Sequence, residues 1–365
     1  MHASEPRLWL SHHVFPLWLK KGVDRKSGGF VEELSLEGEP LRTPRRCRVQ
    51  ARQIFSFRTG LDLGVCDPTE GRAAVESGTA FLLSRYSLPS GAFRHSVGLN
   101  SEPLDDNPCL YDQAFALFGL AHAFAVLRDP DLRDRAKALV AYLRRERGAE
   151  GGGFTEWEKG AVVYQQNPHM HLFEAAVAWM EVDSDPQWKA LADEILGLCL
   201  NKFIDPATGA LAENFSKGWA PELKGKHFLY EPGHLYEWSW LMGRYQLRSG
   251  RDLLKERRKL FALSERSGIC PRRRAVFDQM RSDETPLRRT ARFWPQCERI
   301  KAATQLGETE SAIQGMDVLF RYFDLPVKGL WRDTWGEDDS FPEQAVRASS
   351  LYHIIGAISE FLTYR

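Results

Sequence analysis

Short glycine turns recur along this 365-residue chain: Gly28-Gly29-Phe30, Gly91-Ala92-Phe93, Gly152-Gly153-Phe154, Gly209-Ala210-Leu211, a weaker Gly268-Ile269-Cys270, and Gly329-Leu330-Trp331. From Gly29 to Gly329 the intervals are 62, 62, 56, 59 and 61 residues, so six units fill the sequence. A unit repeated this regularly cannot bury its apolar face alone and must pack on its neighbours, which restricts the chain to a stacked or closed array. Each interval has room for two helices and a short extended piece after the glycine.

Hydrophobic periodicity predicts twelve helices, near 4–20, 45–62, 69–84, 107–128, 130–145, 167–181, 185–202, 231–248, 251–266, 292–306, 308–324 and 344–363. The first helix of each interior pair is the more apolar, as in Ala114-Phe115-Ala116-Leu117-Phe118-Gly119-Leu120-Ala121, and suits an inner wall. The second, such as Asp131-Leu132-Arg133-Asp134-Arg135-Ala136-Lys137, is striped with charge and suits an outer, solvated ring. The reading is an all-α (α/α)6 barrel in one domain over 1–365. Extended segments or hairpins after the glycines, at Phe30 to Leu36, Phe154 to Trp157 and Leu330 to Trp335, would cap one end.

Lys+Arg and Asp+Glu are both 49, so no global field favours nucleic acid or an anionic membrane, and a small molecule is the expected partner. The cysteines at 47, 66, 109, 199, 270 and 297 form no C-x-x-C or other zinc spacing and read as reduced thiols of a cytoplasmic protein. Glu5, Pro6, Arg7, His12, His13 and Pro16 interrupt the start of the chain, which therefore lacks a signal-peptide core, and no stretch is expected to reach membrane-spanning length.

Six unusual residues share a phase within the repeat: Arg52 lies 23 residues after Gly29, Asp112 21 after Gly91, His171 18 after Gly153, His234 25 after Gly209, Trp294 26 after Gly268 and His353 24 after Gly329. Each would sit on a different inner helix at a similar height, so that all converge on one mouth of the barrel. In Glu231-Pro232-Gly233-His234-Leu235-Tyr236-Glu237-Trp238, Pro232 suits a first helical turn and His234 and Glu237 fall on one face. With Trp238 beside them, the imidazole and carboxylate occupy an apolar wall where proton affinities are readily tuned. On a helix His169 and His171 point apart, a poor metal clamp, so no metal is expected. An imidazole can remove a proton beside a carbonyl if fixed donors such as Arg52 meet the developing enediolate oxygen. Histidines on opposite walls, His234 and His353, could address both faces of that intermediate.

The runs Gln50-Ala51-Arg52-Gln53, Asn167-Pro168-His169-Met170-His171-Leu172-Phe173-Glu174, Glu231 to Trp238, Trp294-Pro295-Gln296-Cys297-Glu298 and Leu351-Tyr352-His353 resemble the N-acylglucosamine 2-epimerase superfamily over nearly the whole chain. The resemblance implies an (α/α)6 barrel that acts without metal or other cofactor, as N-acylglucosamine 2-epimerases, cellobiose 2-epimerases, mannose isomerases and sulfoquinovose isomerases do. It implies His234 and His353 as the acid/base pair, Glu237 as support for His234, and Arg52, Asn167, His171 and Trp294 as holders of the sugar; Tyr111 and Asp112 are taken as further sugar contacts. The chain looks most like the mannose isomerase branch, and Ala51 where vertebrate epimerases carry glycine disfavours an N-acyl sugar. The expected function is mannose–fructose isomerisation on a free monosaccharide. The alternatives are 2-epimerisation of N-acylglucosamine or a related aldose or disaccharide and, more distantly, glycoside hydrolysis with Glu231 and Glu298. A homodimer is compatible with all of these.

Plainer readings stand beside these. His2, His12, His13, His95, His122, His169 and His227 are read as ordinary hydrogen-bonded histidines, with His169 at most behind the site. The basic stretch 244–292 is read as a solvated outer face, its sharper alternative being a phosphate-binding or subunit surface.

Overall fold

The computed structural model describes residues 5–158 and 160–363, so His2 lies outside the described residues. Within them the helices follow the predicted order. The first, α1, runs over 5–22 as alternating α and π turns around Pro16, whose missing N–H breaks the regular ladder. There follow α2 (Cys47–Asp62), α3 (Pro68–Tyr86), α4 (Leu110–Leu127), α5 (Pro130–Glu146), α6 (Gln166–Val182), α7 (Pro186–Leu198), α8 (Pro232–Ser249), α9 (Leu254–Ser267), α10 (Phe293–Leu306), α11 (Thr309–Tyr322) and α12 (Leu351–Thr363). Three outer helices start on Asp-Pro: the carboxylates of Asp67, Asp129 and Asp185 cap free N–H groups, and Pro68, Pro130 and Pro186 take the first turn.

Helices α2, α4, α6, α8, α10 and α12 pack on one another in sequence, and α12 closes onto α2. Each of the odd-numbered helices α3 to α11 backs the inner helix before it, while α1 comes round to back α12. The result is a six-hairpin toroid with the first and last helices side by side. One expectation needs amendment: Leu110–Leu127 is long and apolar enough to cross a membrane by composition, but 72% of it is buried as an inner wall.

The glycine repeat has a structural cause. At the end of each outer helix the chain turns and the return segment donates an N–H back to the helix end: Val31 to Gly22, Arg94 to Tyr86, Thr155 to Arg147, Ala212 to Phe203, Phe277 to Gly268 and Arg332 to Tyr322. Five units turn through a positive-φ glycine, but in the fifth the expected Gly268 is the helix-end acceptor at φ −83° and Arg274 at φ +60° makes the turn. An inner-helix side chain then grips the residue after the turn. Gln50, Gln113 and Gln296 each accept from and donate to the backbone of Phe30, Phe93 and Val276, while His169 Nε2 accepts from Phe154 N–H at 2.9 Å. Gly29 shows why no side chain is tolerated there: φ is +70°, and a Cβ would lie 2.5 Å from Phe81 and 2.6 Å from Gln50 Oε1.

The last inner helix starts later than predicted. Val346–Arg347 pairs antiparallel with Glu33–Leu34, joining the first and last units, and a 3₁₀ turn, Ala348–Ser350, leads into α12. Similar short sheets, including Glu156–Glu158 with Ala161–Gln165, collect at the N-terminal ends of the inner helices and wall in that mouth. The basic stretch 244–292 is not one outer face: Arg257 and Arg273 are buried and Arg292 lines the mouth.

Candidate active site

Within this mouth lies a cavity of about 360 Å³ to which every inner helix contributes a side chain: Arg52 from α2, Tyr111 from α4, His171 from α6, His234 from α8, Trp294 from α10 and His353 from α12. Asn167 and Glu237 also line it. Of the predicted positions only Asp112 does not. Its buried carboxylate accepts from Arg48 Nε at 2.7 Å and Arg48 Nη2 at 3.0 Å, and lies 2.6 Å from His95 Nδ1. Arg48 faces the cavity in its place, so Asp112 orients a guanidinium and does not line the cavity. The hydrogen-bonded grips show why: Gln113 is the equivalent of Gln50, which aligns Phe115, not Asp112, with Arg52.

Arg52 has no carboxylate partner among the described residues. It donates to Tyr111 Oη at 2.8 Å and to the Ser349 carbonyl at 3.3 Å, and its guanidinium lies over the Phe115 ring at 4.1 Å. A fixed cation in an aromatic cage is suited to developing negative charge. The Trp294 ring touches both catalytic candidates, with centroid distances of 5.1 Å to His234 and 5.7 Å to His353.

The two imidazoles are tuned in opposite directions. Burial disfavours the charged form of His234, but the Glu213 carboxylate at 2.9 Å from Nδ1, with Glu231 and Glu237 behind it, overrides burial and lifts His234 to about 9. Glu213 itself is braced, because Gln166 Nε2 donates to Oε2 at 2.8 Å while Trp238 Nε1–H holds the other end of that amide at 2.9 Å. This amends the expected support: the carboxylate bonded to His234 is Glu213, in the return segment four residues after Gly209, and not Glu237. In His353 burial and the positive charges of Arg52 and Lys301 act together and push the imidazole well below its usual range. Its Nδ1 faces Glu298 Oε1 at 2.8 Å, which leaves Nε2 for the cavity. At neutral pH the mouth therefore holds one imidazolium and one neutral imidazole, on different helices.

Beneath them lies a buried ionic cluster. Glu174 accepts from the Tyr352 hydroxyl and lies 3.0 Å from His171 Nδ1; burial opposes its ionisation, and His171 and Lys301 outweigh burial and lower it. Burial and the neighbouring Glu237 charge raise Glu298, against the opposing pull of Lys301. Lys301 Nζ is 2.5 Å from Glu298 Oε2 and 3.6 Å from the Trp240 ring centre. Glu237 Oε1 is buried without a hydrogen-bond partner among the described residues, an acceptor left open in the cavity wall. Two groups here, His171/Glu174/Glu237 and Glu237/Glu298/His353, have ligand atoms within 4.8 Å of one another and could in principle hold a metal. In the second of them an ammonium already balances the carboxylates.

Several of these residues escaped the sequence reading: Glu213, Gln166, Lys301 and the arginines Arg46, Arg48 and Arg347. For Glu213 a signal existed in the repeat. The residue following each return-strand hydrogen bond is Glu32, His95, Glu156, Glu213, Asp278 and Asp333, an acidic side chain in five of six units, placed at the start of an inner helix. Glu32, Glu156, Glu213 and Asp278 accept from the backbone N–H groups of Arg46, Leu110, Glu231 and Arg292, where negative charge also suits the helix dipole.

Comparison with known proteins agrees with this architecture. Residues 28–357 match the family model of N-acylglucosamine 2-epimerase (GlcNAc 2-epimerase). A Rhizobium meliloti (strain 1021) protein named mannose-6-phosphate isomerase is 38% identical over 99% of this chain and 96% of its own length. A D-mannose isomerase of Pseudomonas cannabina pv. alisalensis is 27% identical over 57% of each chain. Among solved structures, cellobiose 2-epimerase from Bacillus thermoamylovorans B4167 superposes with a TM-score of 0.88 at 19% identity, covering 99% of this chain and 98% of that one, which shows the shared barrel. The chain belongs to the N-acylglucosamine 2-epimerase family.

Proposed function

We propose that this chain is an aldose–ketose isomerase of the mannose–fructose type, working without a metal. The observation that carries the reading is the opposite protonation of two imidazoles touching one tryptophan. Neutral His353 takes the C2 proton through Nε2 while His234, as imidazolium, gives a proton to the carbonyl oxygen at C1, forming a neutral cis-enediol; Arg52 stabilises the negative charge that develops on oxygen on the way to it. His234, now neutral, then takes the O2 proton, and His353 returns its proton to C1, which leaves a ketone at C2 and restores both side chains. The isomerase names of the Rhizobium and Pseudomonas relatives support this over 2-epimerisation, the chemistry named for a Bacteroides fragilis cellobiose 2-epimerase that is 23% identical over 64% of this chain. Hydrolysis is disfavoured, since Glu231 is tied to Arg292 at 2.7 Å and Glu298 to His353 and Lys301. Metal independence is supported by Lys301, which supplies positive charge inside the carboxylate cluster.

The test is a single turnover of 2-deuterated mannose in ordinary water. Shuttling by one imidazole on one face leaves measurable deuterium at C1 of fructose, diluted by exchange. Glucose as the first product, with solvent hydrogen at C2 and no fructose, would make the enzyme a 2-epimerase.

A further inference from the structure

Five guanidiniums line the mouth, from Arg46, Arg48, Arg52, Arg292 and Arg347, against the carboxylates of Glu231, Glu237 and Asp333. A neutral hexose gives no reason for such a wall, and the arginines are not equivalent. Arg52 sits deep beside the histidines and Arg292 is spent on Glu231 and Asp278. The other three gather on one side, where the first and last units of the barrel join.

Arg46 and Arg48 are each gripped from behind. Glu32, almost fully buried, holds Arg46 through Nε and Nη2, and Asp112 holds Arg48 in the same way. In both the Nη1 group makes no hydrogen bond among the described residues, and both side chains line the cavity. A buried carboxylate fixes each guanidinium plane and leaves one edge free. Arg347 is exposed, lies opposite Glu33 in the strand pair, and makes no side-chain hydrogen bond or ion pair among the described residues.

Directly after Arg347 the chain enters the 3₁₀ turn that opens onto the thirteen-residue helix α12. Ser349 and Ser350 in that turn are only 7% and 6% exposed, line the cavity, and have hydroxyls with no hydrogen bond among the described residues. The turn is pinned from below by Gln53 Nε2 to the Ala348 carbonyl at 2.6 Å and by Arg52 to the Ser349 carbonyl. Unspent hydroxyls and a helix N-terminus, faced by three arginines with free N–H edges, form a cradle for a tetrahedral oxyanion.

We propose that Arg46, Arg48, Arg347, Ser349 and Ser350 bind a phosphate group on the far end of the substrate, so that the sugar handled here is a hexose 6-phosphate and not the free hexose of the sequence reading. This rests on the isomerase reading, which puts C1 and C2 at His353 and His234 and so directs C6 away from them. A 6-sulfonated hexose offers the same tetrahedral shape with less charge; three arginines favour the phosphate dianion.

The test compares mannose, mannose 6-phosphate and 6-sulfonated hexose as substrates for the wild-type chain and for Arg347→Gln, with inorganic phosphate as an independent probe. The expected result is a wild-type kcat/KM at least about tenfold higher for the phosphate ester than for mannose, with inorganic phosphate inhibiting competitively. Arg347→Gln should raise KM for the ester about tenfold or more with little change in kcat, and weaken inhibition by inorganic phosphate to a similar degree. Equal use of mannose and its 6-phosphate by the wild type, or an equal loss on both sugars in Arg347→Gln, would overturn the phosphate site while leaving the isomerase reading intact. Preference for the sulfonate would overturn the choice of anion. If no sugar is isomerised, the isomerase reading fails, and calorimetry of mannose 6-phosphate binding still decides the cradle: binding weakened by Arg347→Gln supports it, and no binding ends it.

Discussion

Replacing Glu213 by glutamine keeps the size and an oxygen acceptor beside His234 but removes the charge that holds its proton. An imidazole raised from 6.5 to about 9 has gained roughly 3 kcal/mol of preference for the charged form, and Glu213 is the largest favourable contributor. Without it burial dominates, and only the more distant Glu231 and Glu237 oppose burial. Since the proposed mechanism needs His234 charged and His353 neutral, wild-type kcat/KM should stay flat through neutrality and fall as pH rises through about 9. In Glu213→Gln that basic limb should move down by roughly two pH units, costing about tenfold in kcat/KM at pH 8 and less at pH 6. Stability follows with the same sign. A group whose folded value is raised contributes fully below 6.5 and loses that contribution as pH rises to about 9, so the melting temperature of the wild type should decline across this window more steeply than that of the variant. Rate profiles and thermal melts from pH 5.5 to 9.5 measure both. An unmoved basic limb in Glu213→Gln would refute the assignment of Glu213 as the residue that keeps His234 protonated.

His353→Gln should fold normally by circular dichroism and lose about 10² to 10⁴ in kcat, because an amide cannot carry a proton; a near wild-type rate would remove His353 from the mechanism. His169→Gln should keep both fold and activity, since glutamine makes the same grip in three other units, whereas His169→Ala should lose about 1–3 kcal/mol in denaturant titration by leaving Phe154 N–H unpaired. Gly29→Ala should lower stability by about 2 kcal/mol or more, from strain at positive φ and the clash with Phe81 and Gln50; an unchanged melting temperature would contradict the close approach. Exhaustive chelation should leave activity whole, and loss restored by one divalent ion would assign a metal to the Glu237, Glu298 and His353 cluster.

The fold was legible because its determinants are local and repeated. Glycines that turn at positive φ in five units, Asp-Pro starts on three outer helices and the contrast between all-apolar and striped helices each act over a few residues, and their repetition makes the pattern plain. Arg52, His171, His234 and His353 were legible for the same reason, since a common phase on inner helices carries each to one mouth; Trp294 reaches it from two residues before Gln296, as Arg48 does from two before Gln50. Asp112 failed by register: it lies three residues before Phe115, the match of Arg52, and one residue after cavity-lining Tyr111, a step that turns a side chain by about 100° on a helix. The delayed start of α12 came from Val346–Arg347 being claimed by a strand more than 300 residues earlier, a pairing no local propensity contains.

What the sequence by itself determined is therefore the barrel, its six-part division and the set of side chains brought to its mouth. Tertiary structure alone decided their chemical states. Whether an imidazole is an acid or a base depends on charges a few ångströms away in space, and those arrive from other elements: Glu213 from a return strand for His234, Glu298 and Lys301 from α10 for His353. Coulomb interactions in a dry mouth fall off with distance through space and take no account of separation along the chain, so two histidines on two walls of one barrel are shifted in opposite directions.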